Sequence, residues 1–351
     1  MVLRVLAMSF WAASLSFAAM AATSEEEKAP ALQTTDRMIE SSVPGLRLFM
    51  RNKHRAGLSS FTAEKTVLYV HGSTYPAETS FDLPLSGMSW MDYIARAGYD
   101  VWLLDLRGYG RSDRPKEMDE PAEAHEPLMR TPDAVADVGS AVDFILKERK
   151  IAKLNLIGWS WGTTIMGMYT AGHNDKVVKL VLYAPQWLRT EPSLTDKGGP
   201  LGSYRVVTVS DAKERWLKGV APEHRNTLIP AGWFEQWAEA TFSVDPWGAK
   251  QDPKKLRAPN GTIADSREYW GAGKPRYDPG EIKVPTLVIH AEWDRDLPTA
   301  MAQAVFTQLK NTPWKRFVEI GEGTHTVLME KNRMQLFREV QLFLDERGPS
   351  S

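Results

Sequence analysis

Residues 153–172, Lys-Leu-Asn-Leu-Ile-Gly-Trp-Ser-Trp-Gly-Thr-Thr-Ile-Met-Gly-Met-Tyr-Thr-Ala-Gly, narrow the folds open to this chain more than any other stretch. Leu154, Leu156 and Ile157 read as the end of a short buried strand, and Thr163 to Ala171 as a helix opening directly after it. Between them stands Gly158-Trp159-Ser160-Trp161-Gly162, a G-x-S-x-G pattern. So sharp a turn forces the serine into a strained backbone conformation and brings strand and helix together two positions to either side, where a Cβ would clash. The strain lifts the Ser160 hydroxyl to the positive end of the helix, where a developing negative charge is favoured. That is the position of a nucleophile. Five residues with three fixed recur by chance, so the flanking strand and helix carry the weight.

The rest of the chain supplies what such an elbow needs around it. Thr66-Val67-Leu68-Tyr69-Val70, Tyr99 to Asp105, Val177 to Tyr183, Thr286 to His290 and Phe317 to Ile320 are short apolar runs of strand length. Leu46 to Met50 partly alternates and reads as an edge strand. Helical spacing appears at Trp90, Tyr93 and Ile94, over 134–147, and from Thr326 to Glu346. Strands alternating with helices indicate a parallel sheet covered on both faces. The alternation breaks over 186–283, which carries Trp187, Trp216, Trp233, Trp237, Trp247 and Trp270 of the thirteen tryptophans. An insertion at this point reads as a largely helical cap folded over the sheet's carboxyl edge, where ligands of open α/β sheets bind.

The first residues have a different character. Arg4, an apolar run from Val5 to Ala18, and Ala19-Met20-Ala21 before an acidic stretch read as a secretory signal over 1–21. Export would place the protein in the periplasm or outside the cell, with no stable membrane anchor after cleavage. There is no cysteine, so disulfides, thiolate catalysis and cysteine lipidation are excluded. A formal charge of −1 gives no basis for a nucleic-acid partner. Residues 22–44 are charged, small and aperiodic, and read as a flexible lead-in. The core would then comprise 45–185 and 284–347.

A serine hydroxyl needs a base, and the base an orienting carboxylate, both expected on loops after later strands. Of the seven histidines only His325, in Gly321-Glu322-Gly323-Thr324-His325, follows a late strand through a glycine loop into a helix. His290 lies inside an apolar strand and reads as a core residue. Glu292, Asp294 and Asp296 lie within five residues after the preceding strand; Asp294 is preferred because Pro298 fixes the loop's exit, with Asp296 as runner-up. Two backbone N–H groups must receive the oxyanion: that of Trp161 after the nucleophile, and one from His71-Gly72-Ser73-Thr74, with Ser73 preferred and Thr74 the alternative. His71 itself reads as a loop brace.

These residues resemble the serine hydrolases of the α/β-hydrolase superfamily. The resemblance spans about 45–185 and 284–347. It rests on His71-Gly72, on Asp105-Leu106-Arg107-Gly108-Tyr109-Gly110-Arg111-Ser112, on the elbow at Ser160, on Asp294 in a D-x-x-x-P loop and on Gly323-Thr324-His325. It implies a mostly parallel eight-stranded sheet and a Ser160, His325, Asp294 triad that needs neither metal nor cofactor. It disfavours haloalkane dehalogenases and epoxide hydrolases, which place Asp where this chain has Ser160. The indoles of Trp159 and Trp161 depart from the usual pattern and are expected to narrow the pocket.

The leading reading is an exported esterase forming an acyl-enzyme on a small apolar or aromatic substrate, with Trp159, Thr74, Trp187, Trp233 and Trp237 as contact residues. Lactones and thioesters suit the same chemistry. A second reading is an aminopeptidase, since Trp233-Phe234-Glu235-Gln236-Trp237-Ala238-Glu239 is similar to the segment with which prolyl iminopeptidases hold a free amine. A third is a binding protein that keeps the fold, against which an intact set of catalytic residues argues.

Overall fold

The computed structural model describes residues 30–348, so the signal-like segment 1–21 lies outside the described residues. Among the described residues ten strands run in chain order: β1 Leu32–Glu40, β2 Arg47–Arg55, β3 Thr66–Val70, β4 Asp100–Leu104, β5 Leu154–Trp159, β6 Val177–Tyr183, β7 Tyr204–Thr208, β8 Lys255–Pro259, β9 Thr286–Ala291 and β10 Lys315–Ile320. The helices are α1 Ala77–Phe81, α2 Trp90–Arg96, α3 Thr131–Arg149, α4 Trp161–Gly172, α5 Val209–Trp216, α6 Arg225–Leu228, α7 Trp233–Phe242, α8 Gly261–Glu268, α9 Thr299–Gln308 and α10 Arg333–Asp345.

Eight strands form one sheet in the order β1-β2-β4-β3-β5-β6-β9-β10. The pairs from β4 to β10 are parallel, and β1-β2 and β2-β4 are antiparallel. The reason the strands read as unbroken apolar runs lies in their two-sided burial. Val67 and Tyr69, Val101 and Leu103, Val181 and Tyr183 face a core with α2 and α10, where Trp90 stacks on Phe337 at 5.3 Å. Leu68 and Val70, Trp102 and Leu104, Leu180 and Leu182 face a second core with α3, α4 and α9. Each strand is thereby clamped between two helical layers. The loops at the carboxyl ends of β3, β5, β9 and β10 consequently emerge on one edge.

Two expectations are corrected. Residues 32–40 of the expected flexible lead-in form β1, pairing with β2 through nine residues, so the ordered chain begins before residue 45. Only Ile39 of this strand is buried, which is why its sequence shows no apolar period; backbone pairing and the Asp36 carboxylate, bound by Arg51 and Arg111, hold it. β2 is therefore interior, and β1 is the edge. Between β6 and β9 the inserted segment is largely helical, as expected, with α5 to α7 set between the antiparallel pair β7 and β8 and α8 after them. The insertion is fixed onto the loops of the sheet edge by Trp237, packed edge-on to Tyr75 at 4.8 Å, and by Trp216, whose indole N–H donates to Glu330 Oε1 at 2.7 Å. No helix among the described residues is long and apolar enough to cross a membrane.

Candidate active site

Ser160 stands between β5 and α4 with φ 58° and ψ −123°, a positive φ that costs a non-glycine residue energy. The flanking glycines are what make it possible. A Cβ on Gly158 would lie 2.3 Å from the Gly162 carbonyl oxygen, and one on Gly162 would lie 2.7 Å from that of Val70. Gly158 is thus required by the helix after the serine, and Gly162 by the neighbouring strand β3. The turn is pinned by the Ser160 N–H, which donates to Tyr183 O at 2.9 Å, and by Thr163, whose N–H and hydroxyl both donate to Ser160 O.

Three loops from the same edge meet this serine in a cavity of about 20 Å³ lined by Ser160, His325, Ser73 and Trp159 among others. The His325 Nδ1–H donates to Asp294 Oδ2 at 2.7 Å, and Asp294 Oδ1 accepts the Leu297 N–H at 2.9 Å, which fixes the carboxylate at both ends. Nε2 of His325 is left for the hydroxyl. The Ser160 Oγ has no hydrogen-bond partner among the described residues; such contacts commonly tighten only when substrate arrives. Burial alone would lower the pKa of His325, but the carboxylates of Asp294 and Asp296 outweigh it and hold the imidazole above its ordinary value. Trp159 Nε1–H and the Tyr183 hydroxyl both donate to the His325 carbonyl, at 3.1 and 2.9 Å, so the residue before Ser160 also anchors His325.

Asp296 has a different partner. It takes the Arg215 Nε–H at 2.9 Å, and although burial opposes ionisation, Arg215 and His325 keep its pKa below the ordinary value. Donor atoms of Asp294, Asp296 and His325 come within 4.8 Å of one another. A divalent cation there would have to displace the Arg215 guanidinium from Asp296 and the Nδ1 proton from His325.

On the loop after β3, a Cβ on Gly72 would lie 2.9 Å from Ser160 Cβ, so only glycine lets this loop approach. Ser73 follows it along the cavity wall, and Trp161 opens α4, where the first N–H groups have no acceptor within the helix. His71 is buried, donates from Nδ1 to Gly72 O at 2.7 Å and accepts Leu106 N–H at Nε2 at 3.1 Å. Burial pushes its pKa down to about 4, so it is a neutral brace. Asp105 ties the same loops together by accepting from the Ala77 and Arg111 N–H groups.

The tryptophans depart from expectation. Trp159 lines the cavity, but the Trp161 indole turns into the core beside α3 and donates to Thr131 Oγ1 at 3.0 Å, so it does not narrow the pocket. Trp187 packs edge-on to Tyr277, Trp233 lies under the Arg333 guanidinium, and Trp237 is buried among Tyr75, Trp216, Phe234 and Phe242. None of these three lines the cavity at Ser160 or the larger cavity of about 480 Å³ beside it, because large indoles gain most by burial between layers. Aromatic lining comes instead from Trp159, Trp216 and Tyr75 at the smaller cavity and from Tyr75 and Tyr204 at the larger. Glu235 and Glu239 point away too, their side chains 67% and 70% exposed and paired with Lys213 and Lys254. They are surface residues of an amphipathic helix, and no amine-binding site is built from them.

Thr74 does line both cavities, as do Tyr75 and Arg215. Arg215 and Trp216, both on α5, reach the site from an insertion whose residue spacing does not single them out. The adjacency of Arg215 to Asp296 is visible only in three dimensions.

A family model described as the alpha/beta hydrolase fold matches residues 65–332. The AB hydrolase superfamily protein YisY of Bacillus subtilis (strain 168) is 26% identical over 254 residues, covering 69% of this chain and 81% of that protein. The serine hydrolase BPHL of Homo sapiens is 25% identical over 265 residues, 75% and 74% of the two chains. A crystal structure of a serine hydrolase from the polyaromatic hydrocarbon-degrading bacterium Cycloclasticus zankles is similar with a TM-score of 0.60 at 17% identity, covering 91% of this chain and 100% of that one, a likeness of fold alone. With its elbow, its sheet order and its matched span in agreement, this chain belongs to the α/β hydrolase fold family.

Proposed function

We propose that this protein hydrolyses carboxylic esters through an acyl-enzyme on Ser160, with His325 as base and Asp294 as its orienting carboxylate. The observation that carries the reading is the His325 Nδ1–H···Asp294 Oδ2 bond of 2.7 Å in the cavity that Ser160 lines. It fixes the tautomer in which Nε2 is free to take a proton. Ser160 Oγ attacks the ester carbonyl and passes its proton to Nε2; the Ser73 and Trp161 N–H groups receive the negative oxygen; the imidazolium returns the proton to the departing alcohol. Water then repeats the sequence on the acyl-enzyme and releases the acid. The relatives named as serine hydrolases support this chemistry over a purely binding role, and the solvent-facing Glu235 and Glu239 speak against an aminopeptidase. The signal-like residues 1–21 support export, and that placement forms part of the proposal.

The test is turnover of short-chain esters as a function of pH. Only neutral imidazole acts as base, and His325 is held above its ordinary value of 6.5, so kcat/KM should fall as pH drops, with its half-height above 6.5. Replacing Asp296 by Asn removes one of the two carboxylates that raise this pKa, so the acid limb should move to lower pH. A profile flat from about pH 5 to 8 is incompatible with a histidine base.

A further inference from the structure

The space directly over Ser160, about 20 Å³, holds little more than a water, whereas the neighbouring cavity of about 480 Å³ is of small-molecule size. The two share Thr74, Tyr75 and Arg215, so a substrate whose carbonyl reaches Ser160 must keep its bulk in the larger space and pass this junction.

The charge at that junction is unbalanced. Arg205 Nη2 and Arg215 Nη1 both donate to the same Thr74 hydroxyl oxygen, at 2.8 and 3.1 Å, so two guanidiniums converge on one neutral group. Arg215 has Asp296 as its counter-ion. Arg205 has no carboxylate within ion-pair distance among the described residues; its acceptors are the carbonyls of Ser73, Ala258 and Pro259 and the Thr74 hydroxyl, and its Nε–H is buried without any. Arg189 donates to the Asp296 carbonyl and adds a further cation to the neighbourhood. Of the acids on the cavity wall, Glu123 and Glu214 are exposed, and Asp211 is taken up by Lys197 at 3.3 Å and by Thr208, so none of the three pairs with Arg205 or Arg215. The difference shows in the two arginines: burial, reinforced by Arg215, pushes Arg205 down to about 10, while Asp296 overcomes burial and raises Arg215.

A partly buried cation lacking a counter-ion is costly, and a ligand anion lowers that cost. The binding site therefore selects by charge. We propose that the larger cavity takes an ester bearing a second, ionised carboxylate, and that this anion pairs with Arg205 and Arg215 at Thr74 while the ester carbonyl lies at Ser160. The proposal rests on the hydrolase reading and names its substrate class: half-esters of short dicarboxylic acids. Arg205 acts as a specificity residue, and Arg215 joins the anion site to the catalytic cavity.

The test compares monoethyl glutarate with ethyl pentanoate, which have similar length and differ in charge, by proton release at constant pH. The wild-type protein should favour the anionic ester in kcat/KM by about tenfold or more, the equivalent of ~1.4 kcal/mol. Arg205→Met should remove that preference mainly through KM, Arg205→Lys should restore part of it, and added salt should weaken it. If Arg205 only braces the Ser73 loop, Arg205→Met will lower both esters alike and leave their ratio unchanged, which overturns the proposal. A calorimetric titration of glutarate into the Ser160→Ala protein reads the anion site without chemistry. Saturable binding that disappears in the Ser160→Ala, Arg205→Met double variant supports the site even if neither ester is turned over, in which case the hydrolase reading alone fails. Absence of glutarate binding to Ser160→Ala overturns the proposal whatever the turnover.

Discussion

Asp294→Asn is expected to lower kcat for ester hydrolysis by about 10⁴-fold, the scale seen when the orienting acid of a serine triad becomes an amide. The bond of 2.7 Å explains the size of the effect. An asparagine can meet His325 Nδ1 with its NH₂ group, which moves the ring proton to Nε2, and a protonated Nε2 cannot accept from Ser160. Asp296→Asn serves as the matched control, because it removes a carboxylate of equal charge two residues away that contacts Arg215 and does not bond Nδ1. Its effect on kcat above the acid limb should be about tenfold at most. Equal losses in the two variants, or the larger loss in Asp296→Asn, would mean that the acid has been misassigned.

Ser160→Ala is expected to lower turnover by about 10³-fold or more, or ~4 kcal/mol of transition-state stabilisation. The fold should be untouched, since the Oγ has no hydrogen-bond partner among the described residues and alanine keeps the Cβ beside which Gly72 is seated. Circular dichroism and the melting temperature should therefore match wild type while activity falls. Residual turnover should be that which the Ser73 and Trp161 N–H groups support without a nucleophile. Near-wild-type activity against the best ester would remove Ser160 from the mechanism.

What could be read from the sequence divides along a physical line. The elbow was legible because its requirements are local: the approach of Gly158 to Gly162 is a matter of four residues and a forbidden Cβ. His325 and Asp294 were legible because loops after buried strands of a parallel sheet must emerge on one edge, and the strands announced themselves as apolar runs. The choice between Asp294 and Asp296 was open, and it turned on which carboxylate an arginine more than 80 residues earlier in the chain would occupy. β1 was hidden because an exposed edge strand buries only Ile39 and draws its order from backbone pairing, which leaves no hydrophobic signature. The tryptophans misled for a related reason. Abundant indoles in an insertion suggested a lined pocket, yet Trp187 and Trp237 are consumed in packing the insertion onto the core, and Trp161 turns toward α3. Arg205 and Arg215, which also face the cavities, carry no spacing signal, and only the pairing of β7 with β8 and the seating of α5 bring them to Thr74.

The central claim is that Ser160 is a nucleophile activated by His325 and Asp294. Its most direct measurement is the site and rate of reaction with a fluorophosphonate probe, followed by peptide mass spectrometry. A single phosphonyl adduct on the peptide containing Ser160, absent in Ser160→Ala and formed far more slowly in Asp294→Asn, is the predicted result. An unmodified Ser160 in protein that still cleaves esters, or an adduct on another residue, would contradict it.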